Sequence, residues 1–404
     1  MAKYPEYQKL DLPAVAEEVR AFWESEGIFE KSISTREGKP QFTFYEGPPS
    51  ANGLPGIHHV MSRAIKDIFC RYKTLKGFQV KRKGGWDTHG LPIELSVEKT
   101  LGITKEDIGS KITIEEYNAA CRKEVMKYKD VWDDLTRKMG YWVDLDDPYI
   151  TFDNKYIESV WNLLYKLYEK GLLYKGYTIQ PYSPAAGTGL SSHELNQPGT
   201  YKMVKDNTVV AQFKLDAKNS KSESLNKINT ILKNEKLLDA FYFLAWTTTP
   251  WTLPSNTALA VGRKINYKII QTYNSYTFKE VVVVVASDLV SKYFKPENQD
   301  LELNDFKQGD KQIPFKVLGE IKGTDLTGLA YAQLLPYSQP DSGDAFKVVP
   351  GDFVTTEDGT GIVHIAPSFG SDDFKVAQEN GIGTLTLVDR QGRFVEEMGE
   401  FAGR

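Results

Sequence analysis

The first part of the chain alternates between helical and extended patterns of apolar residues. Residues 11–30 have apolar positions at helical spacing that Gly27 closes, which predicts a helix. The aromatic run Phe42–Tyr45 predicts a buried strand, and a loop rich in glycine and proline follows it. Residues 58–75 are predicted to form an amphipathic helix with this apolar row: Met61, Ile65, Ile68, Phe69 and Tyr72. Strand, glycine-rich loop and helix in this order are typical of the start of a nucleotide-binding α/β fold.

The pattern changes near residue 180, after which strands dominate. Before this point, residues 77–83 predict a strand, and residues 115–139 and 154–170 predict helices. After it, β-rich runs bounded by turn signals predict the following strands: Thr208–Leu215, Phe241–Thr249, Val281–Val285 and Gly361–Ala366.

The length of 404 residues exceeds one typical domain and suggests two or three. We place a boundary near residue 180, with an α/β domain in residues 1–180 and a strand-rich domain in residues 181–404. The stretch 216–237 is rich in Lys, Asn and Ser and interrupts the strands. It is predicted to be a surface insertion rather than a functional element.

Composition excludes several classes of protein. With 41% hydrophobic and 26% charged residues, the chain is typical of soluble globular proteins, and it has no bilayer-length apolar run and no secretion signal. Cys70 and Cys121 are too few for a disulfide framework and lie in no metal-ligand cluster, so we expect a reducing cytoplasm and no metal site. The net charge of −4 argues against a strongly basic nucleic-acid-binding module but leaves local phosphate contacts open.

Two turns in the first domain are candidates for substrate binding. The loop from Gly47 to His59 precedes a helix, where backbone amides favour phosphates and imidazoles can hydrogen-bond phosphoryl oxygens. Asp87 follows the second predicted strand, beside Gly85 and Trp86, and could hold a cationic amino group. The alternative for both is a structural turn, with incidental histidines in the first and a capping aspartate in the second.

Two further candidates lie in the second domain. The triplet Thr247–Thr249 offers three consecutive hydroxyls that can orient a water or a ribose, although a plain edge strand would look the same. A predicted strand carries His364, and Asp373 opens the helix that follows. The alternative for Asp372 or Asp373 is a helix N-cap.

Four segments, in this order, resemble the isoleucyl-tRNA synthetase family within class I: GPPSANGLPGIHH, GWDTHGLPIE, WTTTPWTLPSNTALAV and GTGIVHIAPSFGSDDF. The likeness implies the first half of a Rossmann-type nucleotide-binding domain, followed by an inserted strand-rich, β-barrel-like α/β editing domain. It also implies a reaction in which isoleucine and ATP, with Mg²⁺, form isoleucyl-adenylate, and the aminoacyl group then passes to tRNA(Ile). We expect a monomer without membrane association.

The resemblance implies roles for the residues at matching motif positions. Pro48 is expected to line the isoleucine pocket, Asp87 to bind the substrate ammonium group, and His59 to contact the phosphates of ATP. Gly56 and His58 complete the signature at the start of the helix. The pocket that removes misactivated valine is expected to be shaped by these residues: Thr247, Thr248, Thr249, Asn256 and His364. Asp373 is expected to anchor the α-ammonium group of the mischarged residue.

The signature departs from the family pattern. The family has His-x-Gly-His, whereas this chain has Gly56 and His58 at the first and third positions, so the two are exchanged. Residues two apart on a helix point about 200° apart, so His58 is not expected to replace a histidine at position 56. We expect an active but remodelled pocket that binds adenylate-like inhibitors poorly.

The sequence leaves two other functions open. The chain ends at Arg404, inside the expected editing domain and before the Lys-Met-Ser-Lys-Ser loop, so as written it is not expected to aminoacylate tRNA. A stand-alone protein that deacylates mischarged tRNA is one alternative, and an inactive tRNA-binding paralogue is the other. The activation-site half in residues 42–94 argues against the first, and the retained Asp87, His59 and Asp373 argue against the second.

Overall fold

The computed structural model describes residues 9–404. The chain divides into two compact units, which we call unit 1 (Met1–Lys175) and unit 2 (Gly176–Arg404). The division lies a few residues before the boundary expected at residue 180.

Unit 1 contains a small sheet and seven α-helices in its described part. In chain order the elements are α1 Leu12–Ser25, α2 Ile28–Ser34, β1 Gln41–Tyr45, α3 Ile57–Leu75, β2 Gln79–Trp86, α4 Leu91–Leu101, a 3₁₀ turn Lys105–Asp107, α5 Ile114–Val125, α6 Lys129–Lys138, β3 Asp144–Ile150 and α7 Asn154–Glu169. The predicted helix over residues 11–30 is split at Gly27, whose φ of +58° suits glycine and breaks the helical path.

The three strands of unit 1 are all parallel, in the order β1-β2-β3. Helix α3 is the crossover between β1 and β2, as the strand–loop–helix pattern predicted. Because parallel strands end at the same edge, the segments after Tyr45 and Trp86 lie next to each other. The Asp87 amide donates to the Pro49 carbonyl at 3.0 Å and fixes this proximity.

The apolar row of α3 is exposed in the described part of the chain. Five residues of the row have more than half of their surface accessible: Met61, Ile65, Ile68, Phe69 and Tyr72. The buried residues of the helix are instead Arg63, Cys70 and Thr74. The helix is therefore amphipathic as predicted, but residues 9–404 do not cover its apolar face.

Unit 2 consists mainly of strands joined by short helices. Its elements are β4 Tyr182–Ser183, β5 Thr188–Gly189, α8 Ser192–Leu195, β6 Val209–Asp216, α9 Ser222–Leu232, α10 Glu235–Leu238, β7 Phe241–Thr247, β8 Ala258–Val261, β9 Asn266–Tyr273, β10 Glu280–Ala286, α11 Val290–Tyr293, β11 Phe315–Lys322, α12 Gly323–Leu326, β12 Ala330–Tyr331, β13 Lys347–Pro350, β14 Ile362–Ile365 and α13 Ser371–Asn380. The 3₁₀ turns are Pro250–Ser255, Ser287–Leu289, Pro296–Asn298, Leu303–Asp305 and Glu396–Phe401.

Nine strands of unit 2 form one mixed sheet in the order β11-β9-β10-β7-β6-β12-β13-β8-β14. The five-valine run of β10 is buried throughout, because this strand lies between β9 and β7 inside the main core. The last strand of the order, β14, curves back toward the inner strand β7, since the Thr360 hydroxyl, just before β14, donates to the Leu244 carbonyl in β7 at 2.6 Å. This curvature brings His364 on β14 close to the end of β7.

The prediction of a surface insertion over residues 216–237 is wrong in its middle part. Helix α9 places Ile228 and Leu232 in the main core of unit 2, where Ile228 is fully buried. The Ser224 hydroxyl is buried too and donates to the Thr327 carbonyl at 2.8 Å. A few apolar residues at helical spacing were enough to bury one face of a polar segment.

Candidate functional sites

A cleft of about 440 Å³ lies in unit 1, where β1 ends and the loop before α3 begins. Pro48 and His59, which were predicted for the synthetic site, both line it. Two hydrogen bonds fix the loop. The Trp132 indole donates to the Gly53 carbonyl at 2.8 Å, and the Tyr128 amide donates to the Ala51 carbonyl at 2.9 Å. A proline- and glycine-rich segment is thereby kept in one shape around the cleft.

The floor of this cleft contains a buried carboxylate that sequence reasoning missed. Glu46 is 3% exposed, pairs with the ammonium group of Lys66 and accepts a hydrogen bond from the Tyr141 phenol. Tyr149 donates to the backbone carbonyl of the same residue. Glu46 directly follows β1, so its position after a parallel strand was the available signal. The negative charge of Glu46 is thus neutralised by Lys66, which also belongs to unit 1.

His59 is fixed by the first turn of α3. Its Nδ1 accepts the Gly56 amide hydrogen at 2.9 Å, which leaves Nε2 as the protonated nitrogen of the neutral ring. The ring also packs edge-on against Trp132, with 4.7 Å between the centroids. Burial lowers the pKa of His59, and the neighbouring His58 and Arg63 lower it further. A neutral imidazole with a free N–H donor therefore borders the cleft.

The expectation that His58 points away from position 56 is wrong. Gly56 is the extended N-cap of α3, with φ −104° and ψ 172°, so the helical repeat does not apply to it. A Cβ built on Gly56 would lie only 2.8 Å from Cε1 of His58, so the imidazole occupies the space beside residue 56. The His58 ring therefore lies where a side chain of residue 56 would begin, and a larger residue at position 56 would displace it.

Asp87 lies just after β2, next to the loop that carries Pro48 and Pro49. Its carboxylate accepts the amide of His89 at 3.3 Å, and within residues 9–404 no cationic side chain forms an ion pair with it. The residue is half-buried. A half-buried carboxylate without a cation is suited to binding an ammonium group.

A second cleft, of about 520 Å³, lies in unit 2 between the end of β7 and β14. Five of the residues predicted for the editing pocket line it together: Thr247, Thr248, Thr249, His364 and Asp373. The separate segments of the sequence therefore form one site. Their convergence follows from the curved sheet rather than from their spacing in the chain.

Hydroxyl groups form a connected row along this cleft. Thr247 and Thr249 have their Oγ1 atoms 3.2 Å apart, and the Thr249 amide donates to Thr247 Oγ1 at 3.0 Å. Thr249 Oγ1 is 3.3 Å from Thr252 Oγ1, which in turn is 3.0 Å from Nε2 of His364. The row can donate and accept hydrogen bonds, as is needed to orient a water molecule.

His364 is 7% exposed and lies at the end of this row. Burial lowers its pKa to about 4, because the charged imidazolium would lose its hydration. The ring is consequently neutral at physiological pH. It can line the cleft and form hydrogen bonds there, but it does not supply a positive charge.

Asp373 lies in the first turn of α13, and its Oδ1 accepts the Ala366 amide hydrogen at 3.0 Å. The N-cap of the helix is Gly370, so an N-cap role for Asp372 or Asp373 is wrong. A side chain at 370 would collide with the Asp373 carboxylate, which explains the glycine. Burial raises the pKa of Asp373. A cationic ligand in the cleft would stabilise the anionic form of this carboxylate.

A sequence profile of the class I tRNA synthetases (I, L, M and V) matches residues 18–335. The chain belongs to this family. A protein of Cytophaga hutchinsonii named isoleucine–tRNA ligase is 62% identical over 411 residues, which cover 99% of this chain and 35% of that protein. Proteins with the same name from Bacteroides fragilis and Clostridium tetani are 62% and 41% identical, and each match covers 96% of this chain.

The chain spans about a third of the length of these curated relatives. Among solved structures, the crystal structure of GlLeuRS-CP1 is 22% identical with a TM-score of 0.31, over 43% of this chain and 60% of that one. This likeness is too low for a comparison of folds.

Some residues of this class I synthetase chain take other positions than predicted. Asn256 is 2% exposed and does not line the cleft of unit 2, but lies behind His364, with its amide nitrogen 3.4 Å from Nδ1 of the ring. Thr252 was missed, although it lines the cleft and contacts His364. Tyr331, which donates to Asn256, was also missed because it is distant in the sequence.

Two features are absent from residues 9–404 of the chain. No group of three or more His, Cys, Asp or Glu side chains in residues 9–404 is arranged to hold a metal ion. None of the helices in that range combines the length and apolar character needed to cross a bilayer.

Proposed function

We propose that this chain is the N-terminal part of an isoleucine–tRNA ligase, in which unit 1 contributes half of the synthetic site and unit 2 removes valine. The observation that carries the proposal is the 62% identity, over 99% of the chain, to a protein of that name. The substrates are isoleucine, ATP with Mg²⁺, and tRNA(Ile), and the protein acts as a cytoplasmic monomer. Unit 1 is the first half of a Rossmann-type domain, and unit 2 is an editing domain inserted into it.

The cleft of unit 1 suits the formation of isoleucyl-adenylate. Attack of the isoleucine carboxylate on the α-phosphate releases pyrophosphate and moves charge onto phosphoryl oxygens. Asp87, half-buried without a cation, holds the substrate ammonium group beside the Pro48 loop. His59 donates from Nε2 to a phosphate oxygen, since its Nδ1 is already occupied by the Gly56 amide. Catalysis at this site consists of positioning and charge stabilisation.

A second cleft is needed because isoleucine and valine differ by one methylene. Such a difference is worth about 1–3 kcal/mol, or about 10–200-fold in selectivity, and isoleucyl-tRNA synthetases are the standard example of this limit. A pocket in which valine fits but isoleucine does not adds a second selection step. Unit 2 is proposed to supply it by hydrolysing the valyl ester.

The groups in the cleft of unit 2 match this hydrolysis. Asp373 is proposed to bind the α-ammonium group of the mischarged residue, and the neutral His364 to limit the space for its side chain. The threonine hydroxyls orient the water that attacks the ester carbonyl.

The proposed function is tested by isoleucine- and valine-dependent pyrophosphate exchange with the full-length protein. We expect robust exchange with isoleucine and weaker exchange with valine, by about 10–200-fold. Failure with isoleucine alongside strong exchange with another amino acid would overturn the assignment.

The same assay distinguishes the two alternatives. A stand-alone editing protein or an inactive tRNA-binding paralogue would give no exchange with any amino acid. Unit 1 supports a ligase over either alternative, because it has a cleft beside a constrained loop. Asp87 does not line this cleft but lies next to the same loop, without a cationic partner in residues 9–404.

A further inference from the structure

Behind the cleft of unit 2, three buried side chains form a connected row. Tyr331 and Asn256 are each 2% exposed, and His364, whose Nδ1 lies 3.4 Å from the Asn256 amide nitrogen, is 7% exposed. Neither Tyr331 nor Asn256 lines the cleft. His364 is the side chain of the cleft that Asn256 contacts.

The orientation of the Asn256 amide is determined by its neighbours. Its Nδ2 lies 2.8 Å from the Ala258 carbonyl, which can only accept a hydrogen bond. The amide nitrogen must therefore be on that side, and Oδ1 faces Tyr331. The distance from the phenol oxygen to Oδ1 is 2.6 Å. Because Oδ1 can only accept, Tyr331 must be the donor.

This orientation determines which nitrogen of His364 carries the proton. Nδ1 of the ring and the Ile365 carbonyl both lie 3.4 Å from Nδ2 of Asn256, whose other hydrogen is on the Ala258 carbonyl. A proton on Nδ1 would face this donor without an acceptor. On the other side, Nε2 is 3.0 Å from Thr252 Oγ1, whose own hydrogen is directed to the Thr249 carbonyl at 2.8 Å. Thr252 can then only accept from Nε2. With the Thr252 hydrogen on the closer acceptor, the Thr249 carbonyl, both sides of the ring favour the neutral form with hydrogen on Nε2.

We propose that Tyr331 is a positioning residue of this cleft, which holds His364 in its neutral Nε2–H form through the side-chain amide of Asn256. The proposal rests on the editing function proposed above. This tautomer also affects the hydroxyl groups of the cleft. A hydrogen on Nε2 is accepted by Thr252 Oγ1, and the Thr249 hydroxyl, 3.3 Å from that atom, can then donate to it as well. The lone pairs of Thr249 then face Thr247 and the cleft.

Tyr331 can be altered without emptying its site. Its ring packs edge-on against Phe213 and Phe346, with centroids 5.2 and 6.1 Å apart, and a phenylalanine would keep these contacts. Among the described residues, the phenol oxygen bonds to Asn256 alone. Tyr331→Phe therefore removes one of the two strong hydrogen bonds that set the orientation of the amide, and keeps the bond from Nδ2 to the Ala258 carbonyl.

The test is nitrogen NMR of the full chain labelled with ¹³C,¹⁵N-histidine at pH 7, without a histidine tag, since the chain has only five histidines. The wild type should show His364 as the Nε2–H form. Tyr331→Phe should give a mixture of tautomers, and Asn256→Asp should give the Nδ1–H form, because a carboxylate accepts from Nδ1. Tyr273→Phe, which removes a phenol bonded to the Leu303 carbonyl at 3.0 Å, should change nothing.

Deacylation of valyl-tRNA(Ile) by the same variants supplies the functional readout. Tyr331→Phe should be about tenfold slower, which is about 1.4 kcal/mol, and Tyr273→Phe should match the wild type. An Nδ1–H form in the wild type, an unchanged tautomer in folded Tyr331→Phe, or a tautomer shift without slower deacylation would each overturn the role of Tyr331. A wild type that does not deacylate valyl-tRNA would instead contradict the proposed function, while the tautomer measurements still test the structural part.

Discussion

Helix α3 of unit 1 and helix α9 of unit 2 are both amphipathic, but α9 buries its apolar face, whereas α3 leaves its apolar face exposed. The apolar row of α3 is exposed, whereas α9, in a segment rich in Lys, Asn and Ser, places Ile228 and Leu232 in the core. Sequence pattern alone therefore shows that a helix has two faces, but not which face meets the rest of the fold. The partner surface decides this.

The two clefts differ in the same way. In unit 2 the residues of the cleft are bonded to one another through hydroxyls, an imidazole and backbone amides. In unit 1 the carboxylate of Asp87 has no cationic partner in residues 9–404, and the helix beside the cleft has an exposed apolar face. The groups in the cleft of unit 2 are therefore bonded to one another, whereas the Asp87 carboxylate in unit 1 has room for a cationic ligand.

The largest effect is expected for the carboxylate of the second cleft. Asp373→Asn should slow deacylation of valyl-tRNA(Ile) by roughly 100- to 1,000-fold, because it removes a preorganised charge that faces the substrate ammonium group. Isoleucine-dependent pyrophosphate exchange should be unchanged. The exposed neighbour gives a matched control, and Asp372→Asn should keep the wild-type rate. Equal losses in both variants would show that the cleft does not use Asp373.

The reciprocal change in unit 1 should affect only the synthetic reaction. Asp87→Asn is expected to lower kcat/KM for isoleucine in pyrophosphate exchange by roughly 100-fold, through loss of a charge pair with the substrate. Deacylation should stay at the wild-type rate, and the exposed Asp146→Asn should affect neither assay. A comparable loss of deacylation would contradict the separation of the two clefts.

The helix comparison is tested by a matched pair of substitutions. Ile228→Ser should lower the free energy of unfolding in urea by about 3 kcal/mol, because it leaves a cavity and a polar group in the core. Ile68→Ser, on the exposed row of α3, should change it by less than about 0.5 kcal/mol in this chain. Similar costs for both would mean that the row of α3 is covered.

The smallest expected effect is on the pH dependence of the free energy of unfolding, and it comes from His364. Its folded pKa of about 4 lies below the unfolded value of 6.5, so between these pH values the unfolded state binds a proton that the folded state excludes. Stability is therefore lost as the pH falls from about 6.5 toward 4, by about 2 kcal/mol at pH 5. His364→Gln should remove this part of the slope in urea unfolding, whereas the exposed His193→Gln should retain it. Identical slopes would contradict a buried neutral imidazole.

Much of the architecture could be predicted, because it depends on local pattern. The strand Gln41–Tyr45, the helix Ile57–Leu75 and the strand Glu280–Ala286 agree with the predicted elements to within a residue or two at each end. The threonine triplet could be singled out because it places three hydroxyls at the end of a predicted strand, and Asp373 because its carboxylate opens the helix after another. What brings them together is the curvature of a nine-stranded sheet, which no short segment encodes.

The remaining features depend on contacts between distant residues. Tyr331 is 75 positions from Asn256, and nothing in either segment indicates that a phenol meets this amide. The position of His58 could not be inferred either, since the helical repeat fails at an extended N-cap. Thr252, only three residues after the triplet, was within reach, because a one-turn spacing places its hydroxyl beside Thr249.

The central claim is that one cleft of unit 2 receives a valyl ester and excludes an isoleucyl ester. It is tested most directly by comparing the rates at which the protein deacylates valyl-tRNA(Ile) and isoleucyl-tRNA(Ile). The account predicts that the valyl ester is hydrolysed at least about 10-fold faster, as one methylene in a closed pocket allows. Equal rates, or faster hydrolysis of the isoleucyl ester, would contradict it.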